Sequence, residues 1–136
     1  MRQQFQQEQR IGAYTDLISS SDVNAAAFSK IIAGSYWSLQ GKDDSSQDQK
    51  TDNYDAWYAS ELSLSHATTK VTMVGSKKES ELALAIWKAY SDGRNAYQKA
   101  TTPEEVSTSG RNFRYKLSQI RSRFIAVATT EMGGGQ

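Results

Sequence analysis

The chain has 136 residues, the length of a single domain, and its 16 basic and 15 acidic residues leave a net charge of +1 at pH 7. This balance points to neither a nucleic acid nor an acidic partner. The absence of cysteine excludes disulfides, thiolate zinc sites and cysteine nucleophiles. No apolar run approaches the roughly 18 residues of a membrane span, and the polar stretch 1–10 lacks the pattern of a signal peptide.

Apolar residues recur at helical spacing from the start of the chain and predict a first helix over Arg2–Leu39. Its predicted inward face comprises Ile11, Tyr14, Ile18, Ser21, Ala25, Phe28, Ile32, Ser35 and Leu39. Residues 1–9 offer only Phe5 as an apolar side chain. We therefore predict that this stretch is a polar extension that frays or protrudes.

The stretch 41–52 has no apolar residue and predicts a mobile acidic loop, because its composition cannot offset the entropy lost on ordering. Its aspartates suggest calcium at first sight. A calcium-binding EF-hand loop needs glycine at its sixth position and glutamate at its twelfth, and neither falls in place here. A solvated loop is the favoured interpretation.

A second helix is predicted from Asn53 to Val74. Its predicted inward face comprises Tyr54, Trp57, Tyr58, Glu61, Leu62, Ser65, Thr68, Thr69 and Thr72, widened by Leu64, Val71 and Val74. Aromatic pairs at 36–37 and 57–58 flank the acidic loop. We predict that these two pairs pack together beneath it.

Gly75 breaks the chain, and Ser76 with Glu79 three residues later predicts a capping box. The third helix is predicted over Lys77–Ala100. Its predicted inward face comprises Leu82, Ile86, Ala89, Tyr90, Gly93 and Tyr97.

The last long stretch, Thr102–Glu131, shows the clearest helix signals in the chain. Thr102 suits the cap, Pro103 the first helical position, and Glu105 can reach back to the cap. A heptad seam, meaning a line of inward residues spaced alternately by four and three, comprises Val106, Gly110, Phe113, Leu117, Ile120, Phe124 and Val127. We expect Phe113, Leu117, Ile120 and Phe124 to form the core, and the glycines from 133 to begin a flexible tail, 133–136.

Both later connections are too short for a crossover, so consecutive helices are expected to be antiparallel neighbours. The predicted fold is therefore all-α: one domain, 1–136, forming an antiparallel up-down-up-down four-helix bundle with long helices. The first loop is long enough to permit another helix order.

Residue patterns for catalysis, metals or cofactors are missing from the sequence. His66 is the single histidine, which rules out the paired histidines of di-iron and zinc helices, and no acid stands at the required spacing. The glycines do not form a phosphate loop, and Gly75 is better explained by a capping turn. We expect no catalytic residue, no metal and no cofactor, and we interpret His66 as a partly exposed helix residue.

The last helix also carries five cations without an acid between positions 111 and 123. Four of them form a candidate basic flank: Arg114 and Arg121 on one side of the seam, Lys116 and Arg123 on the other. A nucleic-acid-binding helix would gather its charges on one exposed face. Charges on both flanks favour packing against neighbouring helices, so we expect no nucleic-acid partner.

Three stretches carry a resemblance to a known group. Residues 9–18 show an R-x-x-x-Y-x-x-hydrophobic pattern at the first helix, residues 71–76 a hydrophobic-Gly-Ser break, and residues 123–133 a closing helix. Together they resemble uncharacterised bacterial proteins, common in actinobacteria, that carry a membrane helix or hydrophobic segment before a soluble helical bundle. The group's closing basic pair is replaced by Thr129 and Thr130. The resemblance implies tethering to a membrane and brings no functional residues.

Two functions are weighed. The first is a non-enzymatic helical interaction module that binds a protein partner or itself, in the soluble part of a membrane-tethered bacterial protein or otherwise in the cytoplasm. The alternative is a small-molecule sensor with an aromatic pocket between helices, for which Trp37, Trp57 and Tyr58 are the candidate ligand residues. A third class, an enzyme, would have to rely on carboxylates alone.

Overall fold

Helices account for the regular structure of the protein. The computed structural model describes residues 2–134. It contains four helices: α1 (Arg2–Ser38), α2 (Gln47–Val74), α3 (Lys77–Lys99) and α4 (Pro103–Gly134). No strand occurs in this described part, which confirms the prediction of an all-α protein with four helices. None of the helices described is both long and apolar enough to cross a membrane.

The turn between α2 and α3 forms the predicted capping box. The Ser76 hydroxyl accepts a hydrogen bond from the Glu79 N–H at 3.2 Å, and the Glu79 carboxylate accepts one from the Ser76 N–H at 2.7 Å. This exchange satisfies two N–H groups that the start of a helix would otherwise leave free.

The cap of α4 forms in part. The Thr102 hydroxyl accepts from the Glu105 N–H at 3.1 Å, but the Glu105 carboxylate accepts from the Thr102 hydroxyl instead of from backbone. The predicted end at Glu131 is wrong, because α4 continues to Gly134. A terminal glycine lowers helix stability by only about 1 kcal/mol relative to alanine, which does not force a stop. Residues 135 and 136 of the predicted tail lie outside the described residues.

The predicted loop 41–52 is half helix, so the predicted start of α2 at Asn53 is wrong. Ser46 caps the helix by accepting from the Gln49 N–H at 3.1 Å, and Asp48 in the first turn suits the positive end of the helix dipole. Capping thus stabilises a first turn that has no apolar residue. The remaining turn is compact, with Gly41 at φ 69° and Asp43 accepting from the Ser45 N–H.

The four helices are arranged in a ring, in which each helix packs against two neighbours. α1 lies against α2 and α4, and α3 lies against α2 and α4, whereas α1 barely touches α3 across the middle. Packing is most extensive within the pairs α1/α2 and α3/α4. The molecule is therefore two closely packed helix pairs joined along two less extensive seams, a pattern consistent with a bundle.

An aromatic cluster at the centre joins all four helices. Phe28 of α1 is fully buried, and its ring meets Trp57 of α2, Tyr90 and Tyr97 of α3, and Phe113 of α4 at centroid distances of 5.4 to 5.8 Å. Such aromatic pairs are each worth roughly 0.5–1.5 kcal/mol beyond the area they bury. Phe28 is thus the residue that most directly connects the two pairs.

The inward face of α1 is turned relative to its prediction. Ile11 and Leu39 are exposed, while Leu17, Asn24 and Ile31, which lay outside the predicted face, are buried. The difference arises because α1 packs most extensively on α2, which turns its buried stripe in that direction. The polar residue Asn24 lies in the centre of that stripe, so a pattern of apolar residues alone does not identify the buried face.

The inward face of α2 differs for a related reason. Tyr54, Tyr58 and Leu62, which were predicted to point inward, are exposed. The buried side chains are Trp57, Ser60, Leu64, Ala67, Thr68 and Val71. The Asn24 side chain of α1 donates to the Ser60 hydroxyl at 3.2 Å where the two helices pack together.

Predicted core residues of α3 and α4 are mostly found inside. Ile86, Tyr90 and Phe124 are fully or almost fully buried, and Phe113 and Leu117 nearly so. The partly buried positions Leu82, Tyr97 and Ile120 pack against this core.

Candidate binding grooves

Two grooves open along the seams where the helix pairs meet. We call them the α1–α4 groove and the α2–α3 groove, after the helices that form their walls. They differ in size and in the chemistry of the side chains that line them.

The α1–α4 groove has a volume of about 700 Å³. Its lining comprises Ile11, Tyr14, Thr15, Ile18, Ser19, Asp22 and Val23 from α1, and Phe124, Ile125, Ala128, Thr129 and Met132 from α4. Tyr14 and Phe124 form its floor, with their rings edge to face at 5.4 Å. Of these described lining residues, Asp22 alone is charged.

Apolar side chains stand in solvent along this groove. Ile11, Val23 and Ile125 are 52%, 57% and 48% exposed, whereas Phe124, the neighbour of Ile125 in sequence, is buried. Single exposed apolar residues are ordinary on protein surfaces, but these three stand beside one concave apolar surface.

An ion pair at the α1–α4 groove joins its two walls. An Asp22 carboxylate oxygen lies 2.7 Å from the Arg121 guanidinium, with the aspartate side chain more than half exposed. An exposed pair of this kind adds roughly 0–1 kcal/mol to stability. Its larger consequence is that it neutralises the single charge of the groove lining.

A buried polar cluster lies beneath one end of the same groove. Arg10 donates to the Glu79 carboxylate and to the Tyr14 hydroxyl, both at 2.9 Å. The Ser76 N–H donates to the same Glu79 oxygen, whereas the other oxygen, Oε2, is buried without a hydrogen-bond partner among the described residues. Burial alone would raise the pKa of Glu79, but the nearby Tyr14 hydroxyl and the hydrogen bonds from Ser76 and Arg10 outweigh it and hold the pKa below its usual value.

The same burial raises the pKa of Tyr14 to about 12. The cluster therefore holds an ionised carboxylate and a protonated phenol over the whole neutral range of pH. Since Glu79 also completes the capping box of α3, its chemistry is accounted for by structure: it ties the start of α3 to α1.

The α2–α3 groove is smaller, about 250 Å³, and its lining comprises Trp57, Tyr58, Glu61, Tyr90, Arg94 and Gln98. Glu61 of α2 and Arg94 of α3 form an ion pair across the seam. The buried Tyr90 hydroxyl donates to the same Glu61 oxygen at 2.8 Å, and the Arg94 guanidinium lies 5.7 Å from the centroid of the Tyr90 ring. Burial, and then Glu61, raise the pKa of Tyr90 above its usual range.

Two of the three predicted ligand residues share the α2–α3 groove. Trp57 is buried in its wall and Tyr58 stands exposed at its rim. Trp37 lies elsewhere: it packs on Tyr36 and lines a depression with Arg114 of α4. The predicted packing of these aromatic pairs beneath the loop is wrong, because Tyr36 and Trp37 face α4 while Trp57 faces α3 and the core.

Arg94 was not singled out from the sequence. Its signal is the spacing of four residues from Tyr90, which places both side chains on the same face of α3. Glu61 was predicted to point inward, but the sequence offered no reason to pair it with one cation over another.

The predicted basic flank divides. Arg121 pairs with Asp22 of the neighbouring α1. Arg114, Lys116 and Arg123 are exposed and form no ion pair within residues 2–134. His66 is likewise exposed on α2. No group of three histidine, aspartate or glutamate side chains that could hold a metal occurs in the part of the chain that the structure describes.

Comparisons with known proteins found no match among protein-family models, curated proteins or solved structures.

Proposed function

We propose that this protein is a non-enzymatic helical interaction module, an antiparallel up-down-up-down bundle of long helices whose α1–α4 groove docks a second copy of the chain. The short connections at 75–76 and 100–102 support the antiparallel order. So does the position of Arg10, near the start of α1, within 3.7 Å of Glu131 near the end of α4.

The observation that carries the proposal is the row of exposed apolar side chains along the α1–α4 groove. Hiding apolar surface from water contributes roughly 25 cal/mol per Å². Ile11, Val23 and Ile125 are placed to bury such surface when another face covers the groove. The floor is already packed, so docking needs no rearrangement of the core.

Charge balance favours a second copy as the occupant. In a two-fold symmetric interface the same patch contributes to both sides, so a patch with net charge would face its own sign. The single charged lining residue, Asp22, is neutralised by Arg121. In a symmetric dimer, Asp22 of one copy can also approach Arg121 of the other, which adds attraction and no like-charge contact.

The amount of exposed surface points the same way. The chain exposes 8475 Å², whereas a compact monomer of its 15.1 kDa mass is expected to expose about 7,100 Å². Standard interfaces bury about 800 Å² on each partner. The chain thus exposes more surface than a compact monomer would, by an amount larger than one partner's share of a standard interface.

Sedimentation equilibrium at micromolar concentrations tests this proposal. We expect wild type to form dimers and Ile125→Glu to be monomeric, because a buried glutamate would face its symmetry mate without a partner. Leu84→Glu is the matched control: Leu84 of α3 is 53% exposed and lines neither groove. A monomeric wild type, or a dimeric Ile125→Glu protein, would contradict self-docking through this groove.

The membrane tethering implied by the resemblance stays a prediction, as does the absence of a nucleic-acid partner. Neither is needed for the groove to dock a second copy. A tether that concentrates the chains at one surface would favour the dimer by raising their effective concentration.

A further inference from the structure

The α2–α3 groove contains an ion pair whose bonding capacity is only partly used. Tyr90 and Arg94 both donate to the same Glu61 oxygen, and Glu61 Oε2 forms no hydrogen bond within the described part of the chain. Arg94 has five N–H donors, and its described partners are Glu61 and Ser91. One acceptor and several donors thus stand side by side at the groove.

An apolar surface adjoins these charges. Tyr58 is 68% exposed at the rim, and the indole of Trp57 forms part of the wall. Concave sites that combine aromatic side chains with a few convergent polar groups are typical of small-molecule binding. The exposed ring of Tyr58 beside the half-buried ion pair of Glu61 and Arg94 is a small site of this kind.

We infer that the α2–α3 groove binds a small zwitterion with an apolar side chain, of the chemical class of the free aromatic α-amino acids. The ligand's ammonium group donates to Glu61 Oε2, and its carboxylate accepts from the N–H groups of Arg94 that remain. Its ring lies against Tyr58 and Trp57. No covalent step is involved.

The paired charges select for a zwitterion. A ligand with a carboxylate alone would bring its negative charge beside Glu61, and an amine alone would bring its positive charge beside Arg94. A zwitterion meets both partners and preserves the neutrality of the groove. The volume of about 250 Å³ lies below the roughly 300–1,000 Å³ of sites for drug-sized ligands. The groove therefore holds a ligand no larger than one free amino acid.

This inference stands apart from the docking of a second copy, because the two grooves share no lining residue. Loss of the dimer therefore leaves this site in place, and failure of ligand binding leaves the dimer proposal intact.

Isothermal titration of the full chain with L-phenylalanine, 3-phenylpropionate and phenethylamine tests the inference. We expect L-phenylalanine to bind and each singly charged analogue to bind at least about tenfold more weakly, since each lacks one charge-assisted hydrogen bond. No heat of binding with L-phenylalanine, or equal affinities for all three compounds, would overturn it.

Matched tyrosine variants locate the binding. Tyr58→Ala is expected to weaken L-phenylalanine binding at least about fivefold, because the ring loses its stacking surface. Tyr115→Ala, at a tyrosine of α4 that is 66% exposed and lines neither groove, is expected to leave it unchanged. Both positions are exposed, so both variants should fold. Equal affinities of the two variants would overturn the assignment to this groove.

Discussion

The α1–α4 and α2–α3 grooves occupy corresponding seams between the same two helix pairs, yet their side chains make them opposites. Along α1–α4, apolar side chains stand exposed while the ionised carboxylate, Glu79, is buried beneath the groove. Along α2–α3, the half-buried Glu61 carboxylate pairs with Arg94 at the groove, and the aromatic side chains Trp57 and Tyr90 are buried. Equivalent positions in a bundle therefore do not determine what a seam can bind.

The difference has an energetic consequence. A seam with exposed apolar groups gains free energy when another surface covers it. A seam closed by an ion pair loses free energy if a covering surface removes water from those charges without replacing their partners. This difference supports the proposals that the first seam docks a protein face and that the second binds a small ligand with matching charges.

The largest expected effect concerns the floor and the rim of the α1–α4 groove. Phe124→Ala removes a fully buried ring that packs on Tyr14 and should lower the free energy of unfolding by about 3–5 kcal/mol. Ile125→Ala, one residue away at the exposed rim, should cost less than about 1 kcal/mol in the monomer. Chemical denaturation at low protein concentration measures both. Similar losses for the two variants would mean that the floor and rim are not distinct.

The buried carboxylate beneath that groove gives the next largest effect. Glu79→Gln should lower the free energy of unfolding by about 2 kcal/mol at pH 7, because it removes the charge to which Arg10 and the Ser76 N–H bond. The pKa of Glu79 is lower in the folded protein than in the unfolded chain. Its contribution is therefore fully present above the unfolded value of about 4.3 and is lost as the pH falls through the folded-state pKa.

Wild type should accordingly lose stability below about pH 4 by a component that the Glu79→Gln protein lacks. Glu81→Gln, at an exposed glutamate on the same helix, is the control and should retain the acid sensitivity of wild type. Denaturation curves collected from pH 7 downward decide between the cases. If the acid limb of the Glu79→Gln protein were as steep as that of wild type, Glu79 would not be the stabilising carboxylate.

The ion pairs Glu61–Arg94 and Asp22–Arg121, one at each groove, allow a comparison with smaller expected effects. Arg94→Gln should cost about 1–2 kcal/mol, since Glu61 is half-buried and also holds the Tyr90 hydroxyl. Arg121→Gln should cost less than about 1 kcal/mol, since Asp22 is well solvated. Raising the salt concentration should reduce the second effect more than the first. The reverse order of losses would contradict the distinction drawn between the seams.

How far the sequence reached depends on the kind of signal. The capping box at Ser76 and the α4 core positions Phe113 and Phe124 could be predicted, because caps and heptad spacing are local patterns. The buried face of α1 could not. Asn24 lies inside only because it meets Ser60 of α2, and no local pattern reveals that partner.

The two grooves could not be predicted from the sequence for the same reason. Trp37 and Trp57 look equivalent in the sequence, but they face different helices. Each groove has one wall from the α1/α2 pair and one from the α3/α4 pair. The shape of a groove therefore depends on how the two pairs are rotated against each other. That rotation depends on contacts between helices, such as those of Phe28 with Trp57 and Phe113, which no single helix specifies.

The last prediction is that the exposed cations of α4 do not bind nucleic acid. Arg114, Lys116 and Arg123 are exposed on α4, but the near-neutral chain should not bind DNA or RNA oligomers at about 150 mM salt, where charges are screened beyond about 8 Å. A fluorescence titration measures this. Micromolar binding that weakens on charge reversal at Arg114 and Arg123 would show that these cations form a binding surface.

Protection of a single introduced thiol tests the central claim most directly, because the natural chain has no cysteine. Ser19 lines the α1–α4 groove and is exposed in the monomer, whereas Ser63 is exposed on α2 and lines neither groove. We predict that the labelling rate of Ser19→Cys falls as protein concentration rises, while that of Ser63→Cys stays constant. A labelling rate of Ser19→Cys that does not change with protein concentration would contradict docking of a second copy in the α1–α4 groove.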